Sequence, residues 1–162
     1  MFEIVSVPLN VINPNPYQPP HRLTPAKDVV ARLAESIRNS GLKQTPTGRR
    51  LAGTDCVEIA DGWLRFCAFR QLSAGDMNFM EMPVELHEYT DREMLDTVME
   101  ANTVRKDLTV IDLANIYKRY TEQFKVSQDE LARMHNCSQG EVSNTLRPVS
   151  YTHLTLPTIY SV

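Results

Sequence analysis

Two segments of the chain combine a small or amide residue with an arginine at spacings suited to holding an anion. Gly62 stands where a predicted strand passes into a helix, so backbone amides at the helix start could approach an anion, and Arg65 follows one turn later. Asn102 and Arg105 offer an amide and a second guanidinium to the same anion. Each segment also has a purely structural interpretation: a packing turn for the first, and a capped helix end with a surface arginine for the second.

A further set of polar residues near the end of the chain suits contact with nucleic acid. Ser127-Gln128-Asp129-Glu130 and Ser138-Gln139-Gly140-Glu141 both have the capping-box pattern, which fixes the starts of two helices. Only His135-Asn136-Cys137 separates these elements, and Asn136 tolerates the left-handed conformation of a tight turn. With small Ala132 where the pair must approach closely, the pattern predicts a helix-turn-helix.

The second of these helices presents a polar face if Val142 and Leu146 point inward. Short polar groups and an arginine suit base edges and phosphates better than the lysines and glutamates of an ordinary solvated face. An ordinary helical hairpin remains the alternative. The candidate DNA-binding residues are Ser138, Gln139, Gly140, Ser143, Asn144 and Arg147.

Alternating and helical spacings place the first set of residues in a mixed α/β region. The prolines of the segment from Asn13 to Pro20 exclude a helix, because each removes an amide donor and extends its predecessor, so we expect a rigid extended segment on the surface. Helices are expected after Gly62, with Leu64, Ala68 and Leu72 inward, and after a capping Asp91. Strands are predicted at Phe2–Pro8, Cys56–Ala60 and Met82–Tyr89. A further helix is predicted to end at Asn39-Ser40-Gly41, and its inward residues are Val29, Val30, Leu33, Ala34 and Ile37.

Only helices are predicted from Thr109 onward. Thr109 can cap a helix that buries one face, and the two capping boxes begin the next two helices. The first helix is expected to bury Ile111, Ala114, Ile116 and Tyr117, the second Leu131 and Met134.

Composition restricts the classes of function. The net charge of -3 argues against a general polyanion binder, because lysine and arginine supply most non-specific affinity for nucleic acid, so any DNA contact must be local. Three widely spaced cysteines suit reduced thiols, and the four histidines show no ligand spacing, so we expect no zinc site. No apolar run is long enough for a membrane span and no signal peptide is visible, so we expect a cytoplasmic protein with no membrane partner.

Taken in order, the motifs resemble the ParB family of partition proteins from Val7 to Arg147. The segment Asn13–Pro19 resembles the opening motif of that family, and Leu33–Ile37 with Gly41-Leu42 and Gln44-Thr45-Pro46 resembles the helix and turn that follow. Gly62, Arg65 and Ala68 fall on its Gly-Glu-Arg-Arg-x-Arg-Ala box, and Asn102 and Arg105 on its Glu-Asn-x-x-Arg segment. Val142–Arg147 is similar to the end of its recognition helix.

The resemblance implies an α+β fold in two domains. We expect a small mixed-sheet ParB/sulfiredoxin-like N-terminal domain at 1–101 and an all-α, incomplete helix-turn-helix domain at 102–147. It implies sequence-specific binding of double-stranded DNA in plasmid or chromosome partition, with a location at the nucleoid or a plasmid. A homodimer in the intact protein and a ParA-type ATPase are the further partners that it implies.

The resemblance also implies a nucleotide site. In the family the two boxes bind the triphosphate of CTP with Mg²⁺, and the nucleotide switches a DNA clamp, which assigns the nucleotide to Gly62, Arg65, Asn102 and Arg105 and the metal to Asn102 and the neighbouring Glu100. Trp63, Leu64 and Cys67 replace a glutamate and two arginines of the first box, and Ala101 replaces the glutamate of the second. Lost guanidiniums mean lost charge-assisted bonds to phosphate, so we expect CTP to bind weakly and at most a weak CTPase.

The last residues have a different character. No charged residue follows Arg147, and Val149–Thr158 resembles a translated sequencing adapter. We therefore expect residues 148–162 to be a non-native tail that replaces a missing C-terminal part.

Two other functions use the same residues. A transcription regulator of a phage or plasmid would bind DNA with no nucleotide switch. A ParB-like nuclease would use Asp61, Gly62 and Arg65 on phosphate, but the sequence offers no carboxylate cluster for metal-assisted hydrolysis, and Cys67 in an apolar helix face suits an inert thiol.

Overall fold

The computed structural model describes residues 1–106 and 108–147. The chain divides into two compact units, Met1–Ala101 and Asn102–Val162, and the predicted non-native tail lies outside the described residues. The first unit holds a sheet with helices and the described part of the second is helical, so the predicted α+β class is confirmed.

The first unit is built on a five-stranded mixed sheet in the order β1-β5-β3-β4-β2. The outer strand β1 pairs antiparallel with β5, β5 runs parallel to β3, β3 pairs antiparallel with β4, and β4 runs parallel to β2. The strands are β1 Glu3–Pro8, β2 Ile12–Asn13, β3 Thr47–Arg50, β4 Val57–Asp61 and β5 Glu81–Leu86, and the helices are α1 Lys27–Ser40, α2 Trp63–Ser73 and α3 Asp91–Arg105.

The core of this unit joins α1 and α2 to the buried side chains of the sheet. Helix α1 ends as predicted, since Gly41 takes a positive φ of 74° and its amide bonds to the Ile37 carbonyl. Val29 is exposed rather than inward, because the buried stripe of α1 runs through Val30, Ala34 and Ile37. Helix α2 buries more of its circumference than the predicted stripe, with Phe66, Cys67, Ala68, Phe69 and Leu72 all buried and Leu64 only partly so.

The proline-rich segment is not wholly on the surface, which corrects the expectation for it. Asn15 is buried, and its side-chain Nδ2 donates to the carbonyl oxygens of Met94 at 2.9 Å and Ala60 at 3.4 Å. Its Oδ1 accepts the amide of Tyr17 at 3.0 Å. The prolines do exclude a helix. The side-chain amide of Asn15 can, however, form hydrogen bonds with buried carbonyls, and this places Asn15 in the interior.

Strand β3 carries an ion-pair network that the sequence does not predict. Gly48 lies so close to β4 that an added Cβ would stand 2.6 Å from the Glu58 carbonyl oxygen. The next residue, Arg49, bonds to the Glu58 carboxylate at 2.8 Å through Nη2, to Asp91 at 2.7 Å and to the Tyr89 carbonyl at 3.1 Å. The network therefore fixes the start of α3 to the middle of the sheet.

The start of α3 is capped by a different residue from the one predicted. Thr90 accepts the Glu93 amide through its hydroxyl at 3.2 Å, and the Glu93 carboxylate accepts the Thr90 amide at 2.8 Å. Asp91 is not the cap, because its carboxylate pairs with Arg49 instead. Thr90 and Glu93 together form the reciprocal arrangement of a capping box.

The second unit contains α4 Val110–Glu122, α5 Gln128–Met134 and α6 Gln139–Leu146. Its buried residues include Ala114, Ile116, Tyr117, Tyr120, Leu131 and Val142. Ile111 and Met134, which were expected inward, are exposed, because the buried face of α4 runs through Asp112, Ile116 and Tyr120 and that of α5 through Leu131 and Ala132. Within residues 1–106 and 108–147, no helix has the length and apolarity needed to cross a membrane.

Removing Arg49 should destabilise the first unit far more than removing an exposed arginine. The Arg49 and Glu58 side chains are only 14% and 15% exposed, so Arg49→Met would strand a largely desolvated carboxylate and should lower the free energy of unfolding by about 2–3 kcal/mol. Urea denaturation measures this loss.

The matched control is Arg32→Met on α1. Arg32 pairs with Asp28, but the two side chains are 75% and 72% exposed, so its loss should cost at most about 0.5 kcal/mol. Equal effects of the two substitutions would show that the Arg49 network does not stabilise the sheet.

Candidate functional site

The turn between β4 and α2 has the shape of an anion cradle. Gly62 takes a φ of 108°, and a Cβ there would lie 2.8 Å from the Cβ of Pro46 and 3.0 Å from Nη1 of Arg65. Any other residue would be strained at this φ and would also fill the space. No side chain caps α2, so its first backbone amides are left to a ligand or to water.

Arg65 lies directly against this turn, as predicted. Its Nη2 donates to Oε1 of Gln44 at 2.6 Å, and its Nη1 stands 3.8 Å from the Asp61 carboxylate. Nη1 is buried and has no hydrogen-bond partner, although the side chain as a whole is 18% exposed. A buried guanidinium nitrogen without an acceptor is costly, and a phosphate oxygen at the turn would satisfy it. The residues of the turn therefore fit a phosphate group.

Gln44 and Pro46 belong to this turn without having been predicted as site residues. Gln44 orients the Arg65 fork, and Pro46 packs on Gly62 and limits its movement. Both precede β3, a strand that the pattern of the sequence does not reveal. Spacing along the chain could not have brought them to Gly62, because the contact depends on how β3 pairs with β4.

The second predicted pair of phosphate ligands lies at the end of α3. Asn102 is buried, Arg105 is exposed, and the Asn102 carbonyl accepts the amide of Lys106, whose φ is 51°. Gly62 and Arg65 belong to the first unit, whereas Asn102 and Arg105 belong to the second, so a single site formed by all four is a proposal.

The predicted magnesium ligands lie on different faces of α3. Glu100 is exposed and Asn102 is buried, and residues two positions apart on a helix do not face each other. A Mg²⁺ ion would thus take its protein ligand from one of them rather than from both. Among the described residues there is no group of three or more histidine, cysteine, aspartate or glutamate side chains placed to hold a metal, but Mg²⁺ bound mainly to phosphate and water would not need one.

The predicted inert character of Cys67 agrees with its surroundings. The thiol is buried in α2, and burial raises its pKa, an effect that the nearby Arg70 only partly offsets. A thiol with a raised pKa is a poor nucleophile at neutral pH.

The predicted helix-turn-helix is formed by α5 and α6. Ser127 accepts the Glu130 amide at the start of α5, and Asn136 takes the expected positive φ of 52° in the turn. The Cys137 amide bonds to the carbonyl of Ala132 at 2.9 Å, which brings the start of α6 close to α5.

The start of α6 is fixed by the predicted capping box. The Ser138 hydroxyl accepts the Glu141 amide at 3.2 Å, and the Glu141 carboxylate accepts the Ser138 amide. That amide, followed by the Ser138 hydroxyl, holds the pKa of Glu141 below its ordinary value. The cap therefore contributes its full stabilisation above the unfolded pKa of Glu141 and loses it as the pH falls through the lowered value.

Tyr117 on α4 contacts the turn before α6 through a hydrogen bond with Cys137, which the sequence does not predict. Burial raises the pKa of Tyr117 to about 12, and the hydrogen-bonded Cys137 adds to the rise. The ring of His135 stacks on the same tyrosine at 5.4 Å. The phenol thus stays neutral at physiological pH and packs the turn against α4.

The outward face of α6 has the predicted polar character. Gln139, Gly140, Asn144 and Arg147 are exposed and Ser143 is half-buried, whereas Val142 is fully buried. Two members of the predicted set have partners already: the Ser138 hydroxyl belongs to the cap, and Gln139 donates to Gln128 on α5 at 2.9 Å. The predicted DNA-contact role of Asn144, Arg147 and Ser143 stays a prediction.

Two protein-family models match the chain. The ParB N-terminal domain matches residues 1–103 and the ParB HTH domain matches residues 106–155. The chromosome-partitioning protein Spo0J of Thermus thermophilus is 36% identical over 144 residues, which cover 89% of this chain and 50% of that protein. A nucleoid occlusion protein of Bacillus cytotoxicus is 32% identical, with 90% of this chain and 47% of that protein covered. The chain thus spans about half the length of the curated relatives that it matches.

Solved structures of ParB from Caulobacter crescentus are also similar. A C-terminally truncated form complexed with CTP-gamma-S is 26% identical, with 91% of this chain and 79% of that chain covered and a TM-score of 0.52. A C-terminally truncated form complexed to the centromeric parS site has the same fold at 24% identity and a TM-score of 0.58, with 95% and 78% of the two chains covered. With its sheet domain and its helix-turn-helix each matched in order, the chain belongs to the ParB family of partition proteins.

Proposed function

We propose that this chain binds a specific sequence of double-stranded DNA through α6 and acts in plasmid or chromosome partition. The observation that carries the proposal is the exposed polar face of α6 within a domain of the ParB HTH family. Relatives named for chromosome partitioning, and a neighbour of the same fold bound to parS, support it.

The chemistry of α6 favours base readout over general attraction to DNA. Asn144 can both donate to and accept from an adenine edge, and Arg147 beside the helix end can meet a phosphate or a guanine. The helices from Thr109 to Arg147 gain little from charge, since five acidic residues match five basic ones and Lys118 pairs with Glu122 at 3.9 Å. A single module of this kind makes few contacts, so a homodimer on paired half-sites is part of the proposal.

The turn at Gly62 is proposed to bind the phosphates of CTP together with Mg²⁺. The buried Nη1 of Arg65 and the space in which a Cβ would clash support this, and a related structure holds CTP-gamma-S. Asn102 and Arg105 would complete the site from the second unit, and Mg²⁺ when bound would neutralise phosphate charge. A CTP-dependent switch of a DNA clamp is part of this proposal.

The remaining roles follow from partition. The protein would act in the cytoplasm on the nucleoid or on a plasmid and would work with a ParA-type ATPase. Binding to DNA with no effect of CTP and no stimulation of such an ATPase would instead indicate a transcription regulator.

Substitutions on α6 should separate base readout from phosphate contact. On the preferred duplex, Asn144→Ala should lose about 1–3 kcal/mol of binding free energy, with little change on random DNA. Arg147→Ala, if Arg147 contacts phosphate, should weaken binding to every sequence alike and reduce the salt dependence by about one unit per module. Fluorescence anisotropy over a salt series measures both effects.

Asn115→Ala is the matched control, because Asn115 is an exposed asparagine on a different helix, α4, and does not belong to the predicted DNA-binding set. It should leave both affinities unchanged. If footprinting finds no preferred site, or if Asn144→Ala leaves the preference intact, α6 is not a recognition helix and the helical-hairpin interpretation stands.

Calorimetric titration with CTP and Mg²⁺ tests the nucleotide site. Binding should be weak, and Arg65→Ala and Arg105→Ala should each abolish it, because a charge-assisted bond to phosphate contributes about 1.5–3 kcal/mol. Arg70→Ala should have no such effect, since Arg70 shares α2 with Arg65 but is exposed over the ring of Phe66. Tight binding that survives both test substitutions would overturn the assignment.

A further inference from the structure

The segment that runs from Asn15 to Leu23 is attached to the protein on both sides of the Gly62 turn. On the side that precedes the turn, Asn15 Nδ2 reaches the carbonyl of Ala60, two residues before Gly62, at 3.4 Å. On the side that follows it, Trp63 Nε1 donates to the carbonyl of Leu23 at 3.0 Å. The segment therefore brackets the turn rather than passing it by.

The Asn15 attachment is strong because its side-chain amide is buried and forms hydrogen bonds through both its nitrogen and its oxygen. Nδ2 has a second acceptor in the Met94 carbonyl at 2.9 Å, and Oδ1 accepts the Tyr17 amide. One side chain thus joins the end of β4, the first turns of α3 and the proline-rich segment. Removing it would take away all three bonds, from the two carbonyls and from the Tyr17 amide, and would leave a void in the buried site.

The Trp63 side chain is held in place by two contacts, one through its ring face and one through its N–H. The ring stacks on Phe66 with centroids 4.5 Å apart, and Phe66 is itself buried in the core. The indole N–H has a single donor function, and the Leu23 carbonyl takes it.

The turn between these two attachments is held by the packing of Pro46 on Gly62 and by the Gly62 carbonyl, which accepts the amides of Arg65 and Phe66, but it has no side-chain hydrogen bond of its own. Gly62 has no side chain, its φ lies in the region that glycine enters freely, and no side chain caps α2. A flexible turn would lose ordering entropy each time it bound an anion, whereas a turn already held in place would not.

We infer that Asn15 and Trp63 are positioning residues, which hold the Gly62 turn so that the first amides of α2 and the Arg65 guanidinium converge on one phosphate. This inference rests on the proposed binding of CTP at that turn. Neither residue needs to touch the nucleotide, since each acts through the backbone beside Gly62.

The test compares Trp63→Phe and Asn15→Ala with a stability control. Trp63→Phe keeps an aromatic ring on Phe66 and removes only the donor, so it should fold even if Asn15→Ala proves too unstable. Val7→Ala is the control, because Val7 is buried on β1, three strands away from β4, and should lower stability without altering the turn.

Two measurements are made on each variant. The dissociation constant for CTP with Mg²⁺ should rise about three- to tenfold in Trp63→Phe, as expected for one lost hydrogen bond, and at least as much in Asn15→Ala. Without nucleotide, hydrogen exchange of the Phe66 amide, which bonds to the Gly62 carbonyl at 3.2 Å, should accelerate by a similar factor. The Gly41 amide at the end of α1 serves as the internal reference and should not change.

The outcomes separate this inference from the function on which it rests. If the wild-type chain binds CTP and both variants bind and exchange as it does, the positioning role is overturned and nucleotide binding stands. If the wild-type chain does not bind CTP, the proposed nucleotide function fails, and faster exchange at Phe66 confined to the two test variants still supports the held turn. If exchange of the Phe66 amide accelerates equally in Val7→Ala, the effect reflects a general loss of stability, and the inference is overturned.

Discussion

The conformation at Gly62 is the constraint on which the first unit depends. The chain must pass from the buried strand β4 into α2 with a φ of 108° and with Pro46 against the Gly62 Cα, so no side chain is tolerated there. The same geometry leaves the first amides of α2 without a cap and brings Nη1 of Arg65 to within 3.0 Å of the place where a Cβ would be. A packing requirement and the proposed anion site thus have one structural origin.

Other contacts of this unit act on the elements around that turn. Asn15 joins β4 to α3, Arg49 joins the start of α3 to β4 through Glu58 and Asp91, and Gln44 orients Arg65 from the loop before β3. In the second unit the corresponding constraint is the start of α6, held by the Ser138 capping box and by the contact of Cys137 with Tyr117. In each unit, polar groups that satisfy the backbone also place the side chains proposed to bind ligands.

The sequence predicted the helix caps and turns, because these depend on residues that are close in the chain. The caps at Thr109 and Ser127, the capping box at Ser138–Glu141, the left-handed Asn136 and the glycine turn at Gly62 each depend on neighbours within a few residues, and the structure has them. The reciprocal bond from Asp112 to Thr109 was not predicted. The sequence did not predict β3, because Thr47–Arg50 has no alternation and becomes a strand only between β4 and β5. Nor did it predict the burial of Asn15 or the competition of Thr90 with Asp91 for the cap of α3, since both are settled by carbonyls and charges distant in the chain.

Trp63, Leu64 and Cys67, which depart from the family pattern, lie in the helix that follows the Gly62 turn, and we propose that the remaining residues still form a phosphate site there. An NMR titration of the ¹⁵N-labelled chain with CTP and Mg²⁺ tests this most directly, because it reports on each backbone amide separately. We predict that the amides of Gly62, Trp63 and Leu64 and the side-chain NH of Arg65 shift together and saturate with one dissociation constant. Saturating shifts confined to residues outside this turn, or no shifts at millimolar CTP, would contradict it.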